Sequence, residues 1–158
     1  DVIIKGGGHG AAAGVTLATE RIDDFRRRVN EFYDSLQLKN QELYLLPRAD
    51  VEIDDFSEIN EELIDNLAKM EPFGNGNAEP ILKITKATVL SVRRMGTDGQ
   101  HVKLTLRDKN DVALQMLAFN APEEFFREVG DEVSAWFQPT VNEWQGMKSV
   151  EGRLLHLA

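Results

Sequence analysis

The sequence predicts an α+β protein in which a truncated α/β region precedes a five-stranded OB-fold barrel. Residues 1–70 contain two stretches with the period of an amphipathic helix, whereas residues 81–158 have strict alternation typical of strands. The predicted order of the second part is three strands, a short helix and two strands, which is the order of an OB-fold. The segment EPFGNGNAEP, residues 71–80, separates the two parts because its prolines and glycines end regular structure.

Two helices are predicted in the first part. The first has one apolar face and Thr19 as its N-cap, and the second runs from Ser57 towards Met70 with acidic residues in its first turns. Between them, residues 42–54 are predicted to be extended. The apolar face of the first helix consists of Ile22, Phe25, Val29, Phe32 and Leu36.

The second part contains the predicted barrel. The pair Asp98-Gly99 is typical of a hairpin turn, and a second turn is predicted around Gly146. Pro122 is expected in the first turn of a short helix that ends before Gly130. The five predicted strands are Ala87–Arg93, His101–Arg107, Val112–Phe119, Val133–Val141 and Val150–Leu157.

Composition excludes several classes of protein. The chain of 158 residues has no cysteine, so disulfides and thiolate metal sites are excluded, and it has no long apolar run that would span a membrane. Its net charge of −9 lies wholly in residues 1–80, which hold 8 basic and 17 acidic residues, against 10 of each in residues 81–158. The chain lacks an initiator Met and a signal peptide, so we expect a fragment of a longer, cytoplasmic protein.

The stretch IKGGGHGAAAG, residues 4–14, exposes unusually bare backbone around His9. It matches part of a dinucleotide-binding fingerprint, but Gly14 interrupts the helix that this fingerprint requires after one turn. It is not a P-loop either, because no Gly-Lys-Ser/Thr follows. Glycines let the backbone approach a ligand closely, and N–H groups entering a helical turn form an anion site. The spacing therefore leaves two interpretations: a phosphate-binding loop that includes a histidine donor, or a tight turn with a buried structural histidine.

Three segments resemble a known family. GGGHGAAAG, residues 6–14, is similar to the GGGH-type motif of the DHH-associated domain in the DHH phosphoesterase superfamily. LAKMEPFGNGNAEP, residues 67–80, resembles the junction of RecJ, the bacterial single-strand-specific exonuclease family of that superfamily, with Ala78 in place of an expected proline. HVKLTL, residues 101–106, resembles the second strand of that family's OB domain. The resemblance covers the chain and implies a DHH-associated region over 1–70, a linker over 71–80 and an OB domain over 81–158.

The resemblance also implies an activity and its partners. The parent enzyme is expected to hold Mn²⁺ or Mg²⁺ in an upstream DHH catalytic domain of the same chain, and to act on single-stranded DNA. No metal ligands or catalytic residues are expected in this fragment, which should not cleave DNA alone. Single-strand-binding protein is a further expected partner. The residues that match the substrate-binding motif are Gly6, Gly7, Gly8 and His9.

The barrel is expected to bind DNA through cations and an aromatic residue. OB-folds bind through their second and third strands and the neighbouring loops, and single strands are bound by stacking and phosphate contacts. Two alternatives need no DNA: the cations are also consistent with a solvated sheet face, and Trp144 is equally consistent with packing in a loop. By contrast, the run Arg26-Arg27-Arg28 is interpreted as a salt-bridged helix face. The predicted DNA-binding residues are Arg93, Arg94, His101, Lys103, Arg107 and Trp144.

The predicted function is therefore that of a fragment of a 5′-to-3′ single-stranded-DNA exonuclease of DNA repair and recombination. The GGGH motif would contact the substrate backbone, and the OB domain would hold the single strand. Two alternatives remain open from the sequence: a non-catalytic protein-interaction module, and a fragment of a DHH-family nucleotide phosphodiesterase.

Overall fold

The computed structural model describes residues 2–10, 12–36 and 47–158, and the chain divides into two compact units, 1–45 and 46–158. This division lies earlier than the predicted linker, so residues 71–80 and the second predicted helix belong to the second unit. None of the helices in the described ranges combines the length and apolarity that crossing a bilayer requires.

The first unit contains a β-hairpin followed by a helix. Strands β1 (Lys5–His9) and β2 (Ala12–Thr16) are antiparallel, with Gly7 opposite Gly14. The prediction that the glycine stretch enters a helical turn is therefore wrong. Helix α1 (Ile22–Ser35) confirms the first predicted helix, but Thr19 starts a 3-10 turn (Thr19–Arg21) and is not the N-cap of α1.

The second unit begins with a short strand and a short helix. Strand β3 (Val51–Ile53) confirms part of the predicted extended segment, of which residues 42–46 lie outside the described residues. Helix α2 (Glu61–Ala68) begins later than the predicted Ser57, since the side chain of its N-cap, Asn60, accepts the Leu63 N–H at 2.9 Å. Before this cap, Phe56 and Ile59 are buried in the core shared with the barrel.

Five strands form the barrel, and their order is that of an OB-fold. Each pairs with its neighbour in the order β4-β5-β6-β8-β7, and β7 pairs back onto β4, which closes the sheet. The β6–β8 pairing is parallel and the other barrel pairings are antiparallel. The predicted OB-fold is thus confirmed. The strands are β4 (Leu82–Met95), β5 (His101–Arg107), β6 (Ala113–Ala118), β7 (Glu132–Trp144) and β8 (Met147–Leu157).

Alternation decides which side chains fill the barrel. In β5, Val102, Leu104 and Leu106 are each 0% exposed, whereas the residues between them are half-buried on the outer face. The predicted short helix is only a 3-10 turn (Glu123–Phe125), which buries Phe125, and Pro122 precedes this turn with an extended backbone instead of lying within it. The two predicted turns are present, one between β4 and β5 and one between β7 and β8. Gly99 and Gly146 lie in these turns with positive φ, which glycine adopts readily.

A buried carboxylate joins the segment before α2 to the barrel. Asp108, in the turn after β5, accepts backbone N–H groups from Phe56 at 2.6 Å, Asn110 at 2.8 Å and Val112 at 3.0 Å. A buried ionised group requires such partners, and here three donors surround one carboxylate. The contact fixes the β5–β6 turn against residues 54–57 and explains why this segment belongs to the barrel unit.

Candidate nucleic-acid interface

A row of side chains crosses four strands on the outer face of the barrel. The strand register places Arg93 of β4 beside Lys103 of β5, Lys103 beside Leu117 of β6, and Leu117 beside Arg153 of β8. We call these four residues the cross-strand row. It carries three cations and one apolar side chain, and its two middle members, Lys103 and Leu117, lie on the second and third barrel strands, with which OB-folds bind their ligands.

The predicted cation Lys103 already has an acidic partner. Its Nζ lies 3.0 Å from Oε1 of Glu151 on β8, and the Glu151 side chain is only 7% exposed. Such a pair is difficult to exchange, because removing Lys103 would leave a buried carboxylate without its countercharge. Lys103 therefore has two effects: it neutralises the buried Glu151 carboxylate, and it adds a positive charge to the outer face.

Arg153, which the sequence prediction missed, closes the row at its other end. Its Nη2 donates to Oε2 of Glu79 at 2.5 Å, and its Nε donates to Oε1 of Gln138 at 3.1 Å. Gln138 Nε2 in turn donates to the backbone carbonyl of Glu79 at 3.2 Å. The Pro/Gly junction is thereby attached to the barrel wall next to the cross-strand row.

The adjacent residues Arg93 and Arg94 lie on opposite sides of β4. Arg93 is exposed, and among the residues that the structure describes no carboxylate lies within 4 Å of it. Arg94 donates to Glu123 at 2.7 Å and stacks over the Phe126 ring at 3.5 Å from its centroid. The structure therefore groups Arg93 with Lys103 and separates Arg94 from them.

His101 is the first residue of β5 and lies at the end of the face where the β4–β5 turn ends. Its Nδ1 accepts the backbone N–H of Asn120 at 3.0 Å, and its ring meets the edge of Phe119 at 5.1 Å between centroids. Phe119 is 62% exposed. Phe119 thus forms an exposed aromatic platform at this end, with the half-buried imidazole of His101 against its ring.

Arg107 lies at the opposite end of β5 from His101. Its Nη1 lies 3.3 Å from Oδ1 of Asp111, and the two side chains are 42% and 83% exposed. Such an exposed pair contributes little to stability and is screened by salt, so Arg107 stays accessible to a competing anion.

Trp144 stands near the tip of the β7–β8 hairpin. It lies directly opposite Met147 across the turn, and the two side chains are 69% and 70% exposed. The turn residues Gln145 and Gly146 have φ of 52° and 78°, as a type I′ hairpin requires. Of the two interpretations given to Trp144, loop packing does not agree with this exposure, whereas an accessible stacking surface does.

The glycine-histidine motif lies in the first unit, on strand β1. Gly6, Gly7, Gly8 and His9 are all exposed, so the interpretation of His9 as a buried structural histidine does not hold. A Cβ at Gly8 would lie 2.5 Å from the Ala12 carbonyl oxygen, which explains why this close strand pair needs a glycine there. The motif thus presents bare backbone and one imidazole on a hairpin.

The arginine run of α1 is paired with acids on the same helix. Arg26 contacts Asp23 at 2.6 Å and Arg27 contacts Glu31 at 2.7 Å. Arg27 and Arg28 both donate to Asp24, and these hydrogen bonds lower the pKa of the Asp24 carboxyl below its ordinary value. The interpretation as a salt-bridged helix face is confirmed.

The described parts of the chain contain no group of three or more His, Asp or Glu side chains that could hold a metal ion. The acidic pair before α2 has other contacts: Asp54 lies 3.6 Å from Lys109, and Asp55 accepts from Ser57 and Asn110. The hydrogen bonds from Ser57 also lower the pKa of Asp55. These residues do not offer the ligand set of a two-metal centre.

Comparison with known proteins identifies the family. The model of the RecJ OB domain matches residues 49–156. The chain belongs to the RecJ OB-domain family. It is 31% identical over 94% of its length to the single-stranded-DNA-specific exonuclease RecJ of Bacillus subtilis, and 26% identical over 96% to the same-named protein of Haemophilus influenzae. The chain covers 19% and 26% of these two RecJ proteins, so it corresponds to about a fifth to a quarter of their length.

Solved RecJ structures have the same fold. The crystal structures of RecJ from Thermus thermophilus in complex with Mg²⁺ and with Mn²⁺ each match 99% of the chain with a TM-score of 0.57. Their sequence identities are 21% and 23%, and the chain covers 23% and 22% of them. At this identity the likeness concerns the fold, and it supports the α+β assignment with an OB domain.

Proposed function

We propose that this chain is the single-strand-binding part of a 5′-to-3′ single-stranded-DNA exonuclease of DNA repair and recombination. The observation that carries the proposal is the outer face of the barrel, where the cross-strand row lies between two exposed aromatic platforms. Phe119 and His101 form one platform and Trp144 the other. The names of the RecJ relatives, which describe single-stranded-DNA-specific exonucleases, support the same substrate.

The two ends of this face can contact successive parts of one strand. The β6–β8 pairing is parallel, so the start of β8, next to Trp144, lies towards the start of β6 and away from Phe119. A strand that crosses the face would stack bases on both platforms and place phosphates over Arg93 and its neighbours. Stacking tolerates any base and phosphate contacts read no sequence, as an exonuclease that degrades any strand requires.

The glycine-histidine motif is proposed as a second contact with the DNA backbone. Gly6, Gly7 and Gly8 leave the main chain accessible, and the exposed imidazole of His9 can donate to a phosphate oxygen. Arg94 and Arg107 are secondary candidates, because each must first exchange an exposed acidic partner.

The catalytic centre is proposed to lie in an upstream DHH domain of the same parent chain, where Mn²⁺ or Mg²⁺ would activate the attacking water. The apolar face of α1 supports such a domain contact. Phe25, Val29 and Phe32 line a cavity of about 260 Å³ with Val2 and Ile3, and Phe32 is 66% exposed. This fragment is expected to bind DNA without cleaving it. Binding to single-strand-binding protein and a cytoplasmic location stay predictions.

Titration of a fluorescently labelled oligo-dT at two salt concentrations tests the proposal. We expect binding that weakens as salt rises, and weaker binding by Arg93→Ala with a salt slope reduced by roughly 0.7. Arg48→Ala is a matched control, since Arg48 precedes β3, whose Val51 pairs with Leu82 at the far end of β4. Lys103→Ala is less informative, because it also leaves the buried Glu151 without its countercharge.

Two results would favour the alternatives. A folded protein that does not bind oligo-dT at low salt would indicate a protein-interaction module. Competition by a cyclic dinucleotide, with stronger binding than the oligonucleotide, would indicate a fragment of a nucleotide phosphodiesterase.

A further inference from the structure

We propose that Arg153 is a phosphate-binding residue and that the carboxylate of Glu79 occupies its phosphate position until DNA displaces it. This inference rests on the proposed function of the same face. It adds a binding residue at the end of the cross-strand row, and it makes the junction residue Glu79 a competitor of the DNA backbone.

The geometry of Arg153 supports a phosphate contact. Its side chain is 53% exposed, it continues the row beyond Leu117, and its Nη2 already binds an anionic oxygen at 2.5 Å. Gln138 accepts from the Nε of the same guanidinium at 3.1 Å and so fixes its plane. A fixed guanidinium that binds one carboxylate oxygen presents the donors that a phosphate oxygen needs.

The Glu79 side chain can leave without detaching the junction. Its backbone carbonyl accepts from Gln138 Nε2 at 3.2 Å, and this hydrogen bond does not involve the carboxylate. Its side chain is 36% exposed, so the ion pair lies in a solvated position where such pairs contribute little to stability. A phosphate approaching Arg153 would repel the carboxylate, and the carboxylate has solvent into which it can rotate.

The second ion pair of the row behaves differently. Glu151 is 7% exposed beneath Lys103, so its departure would move a buried charge. The two pairs lie on the same face, yet only the pair of Arg153 and Glu79 combines a solvated carboxylate with an independent backbone contact. DNA binding should therefore exchange Glu79 and leave Glu151 in place.

Oligo-dT titrations of the full chain and three single variants test this exchange. Glu79→Gln should bind about two- to fivefold more tightly than the unmodified chain, because no carboxylate then competes with the DNA backbone for Arg153. Arg153→Gln should bind more weakly, and the double variant should bind as Arg153→Gln does. Glu132→Gln is the matched control, since it makes the same charge change six residues along β7 from Gln138, roughly 20 Å away.

The outcomes separate the inference from the proposed function. The inference is wrong if the unmodified chain binds and Glu79→Gln gains nothing, if Glu132→Gln gains as much, or if the gain persists without Arg153. If neither the unmodified chain nor Glu79→Gln binds, both the inference and the proposed function are wrong. If Glu79→Gln fails to fold, Arg153→Gln decides on the phosphate contact of Arg153: weaker binding supports it, and unchanged binding overturns the inference.

Discussion

Helix α1 and strand β5 are both amphipathic in sequence, but only β5 buries its apolar side. The inward side chains of β5 are 0% exposed, whereas no described residue of α1 is buried and Phe32 is 66% exposed. In the second unit the barrel closes on itself and supplies the partner that an apolar stripe needs. The apolar stripe of α1 lines a cavity with Val2 and Ile3 of its own unit, but Ile22, Val29 and Phe32 stay exposed. The comparison separates a region that is complete in itself from one that we propose is completed by a catalytic domain.

The largest expected effect comes from removing matched apolar side chains in the two regions. Leu104→Ala should lower the free energy of unfolding of the barrel by about 2–5 kcal/mol, because Leu104 is fully buried. Phe32→Ala should change it by less than about 0.5 kcal/mol, because Phe32 is exposed. Denaturant unfolding measures both. Equal losses would contradict the distinction between the two regions.

The next effect concerns the limits of the barrel unit. Asp108→Asn replaces one acceptor oxygen by a donor that faces a backbone N–H, and should cost about 1–3 kcal/mol. Hydrogen exchange should then increase at Phe56 and its neighbours more than in β5. If residues 54–57 kept their protection, Asp108 would not be what joins them to the barrel.

Removing the tryptophan at the tip of the β7–β8 hairpin should weaken DNA binding without changing the stability of the fold. Trp144→Ala should weaken oligo-dT binding by about 1–3 kcal/mol, since one stacked base is lost, while thermal unfolding stays unchanged. Trp136, which is 6% exposed, provides an internal comparison in the unmodified chain. DNA should protect the exposed tryptophan from a soluble quencher and leave the buried one unaffected. Unchanged quenching of Trp144 in the bound state would exclude stacking there.

The smallest expected effect is a pH dependence at His156. Burial lowers its pKa, partly opposed by Glu124 and reinforced by Arg127. The folded barrel therefore favours the neutral imidazole, and the unfolded chain binds the proton at higher pH. Stability should be full above the ordinary value of about 6.5 and should decrease as the pH falls through it towards the lower folded pKa. His156→Gln should reduce the change of the unfolding midpoint with pH between about pH 7 and 5. An unchanged pH dependence would contradict this assignment.

The sequence allowed the barrel to be predicted because its signals are local. Alternation in β5, and turn residues such as Gly99 and Gly146, were enough to place strands and hairpins. Local sequence patterns gave a wrong prediction where the structure depends on the pairing of two strands. The glycines before His9 indicated a helical turn, whereas they lie on a strand, where only the close approach at Gly8 excludes a side chain.

The site was predicted less completely, because its contacts are distant in sequence. Lys103 was predicted, but its partner Glu151 is 48 residues away, and Arg153 lies 74 residues from Glu79. No spacing rule connects such pairs. The contacts that attach the predicted linker to the barrel, from Glu79 to Gln138 and Arg153, also join residues that are distant in sequence.

Backbone and side-chain NMR of the full chain with oligo-dT would locate the DNA-binding surface directly. We expect chemical shifts to change along one continuous path, from Phe119 and His101 across Arg93 and Arg153 to Trp144. Shift changes confined to other surfaces of the barrel, or none at saturating oligonucleotide, would contradict it.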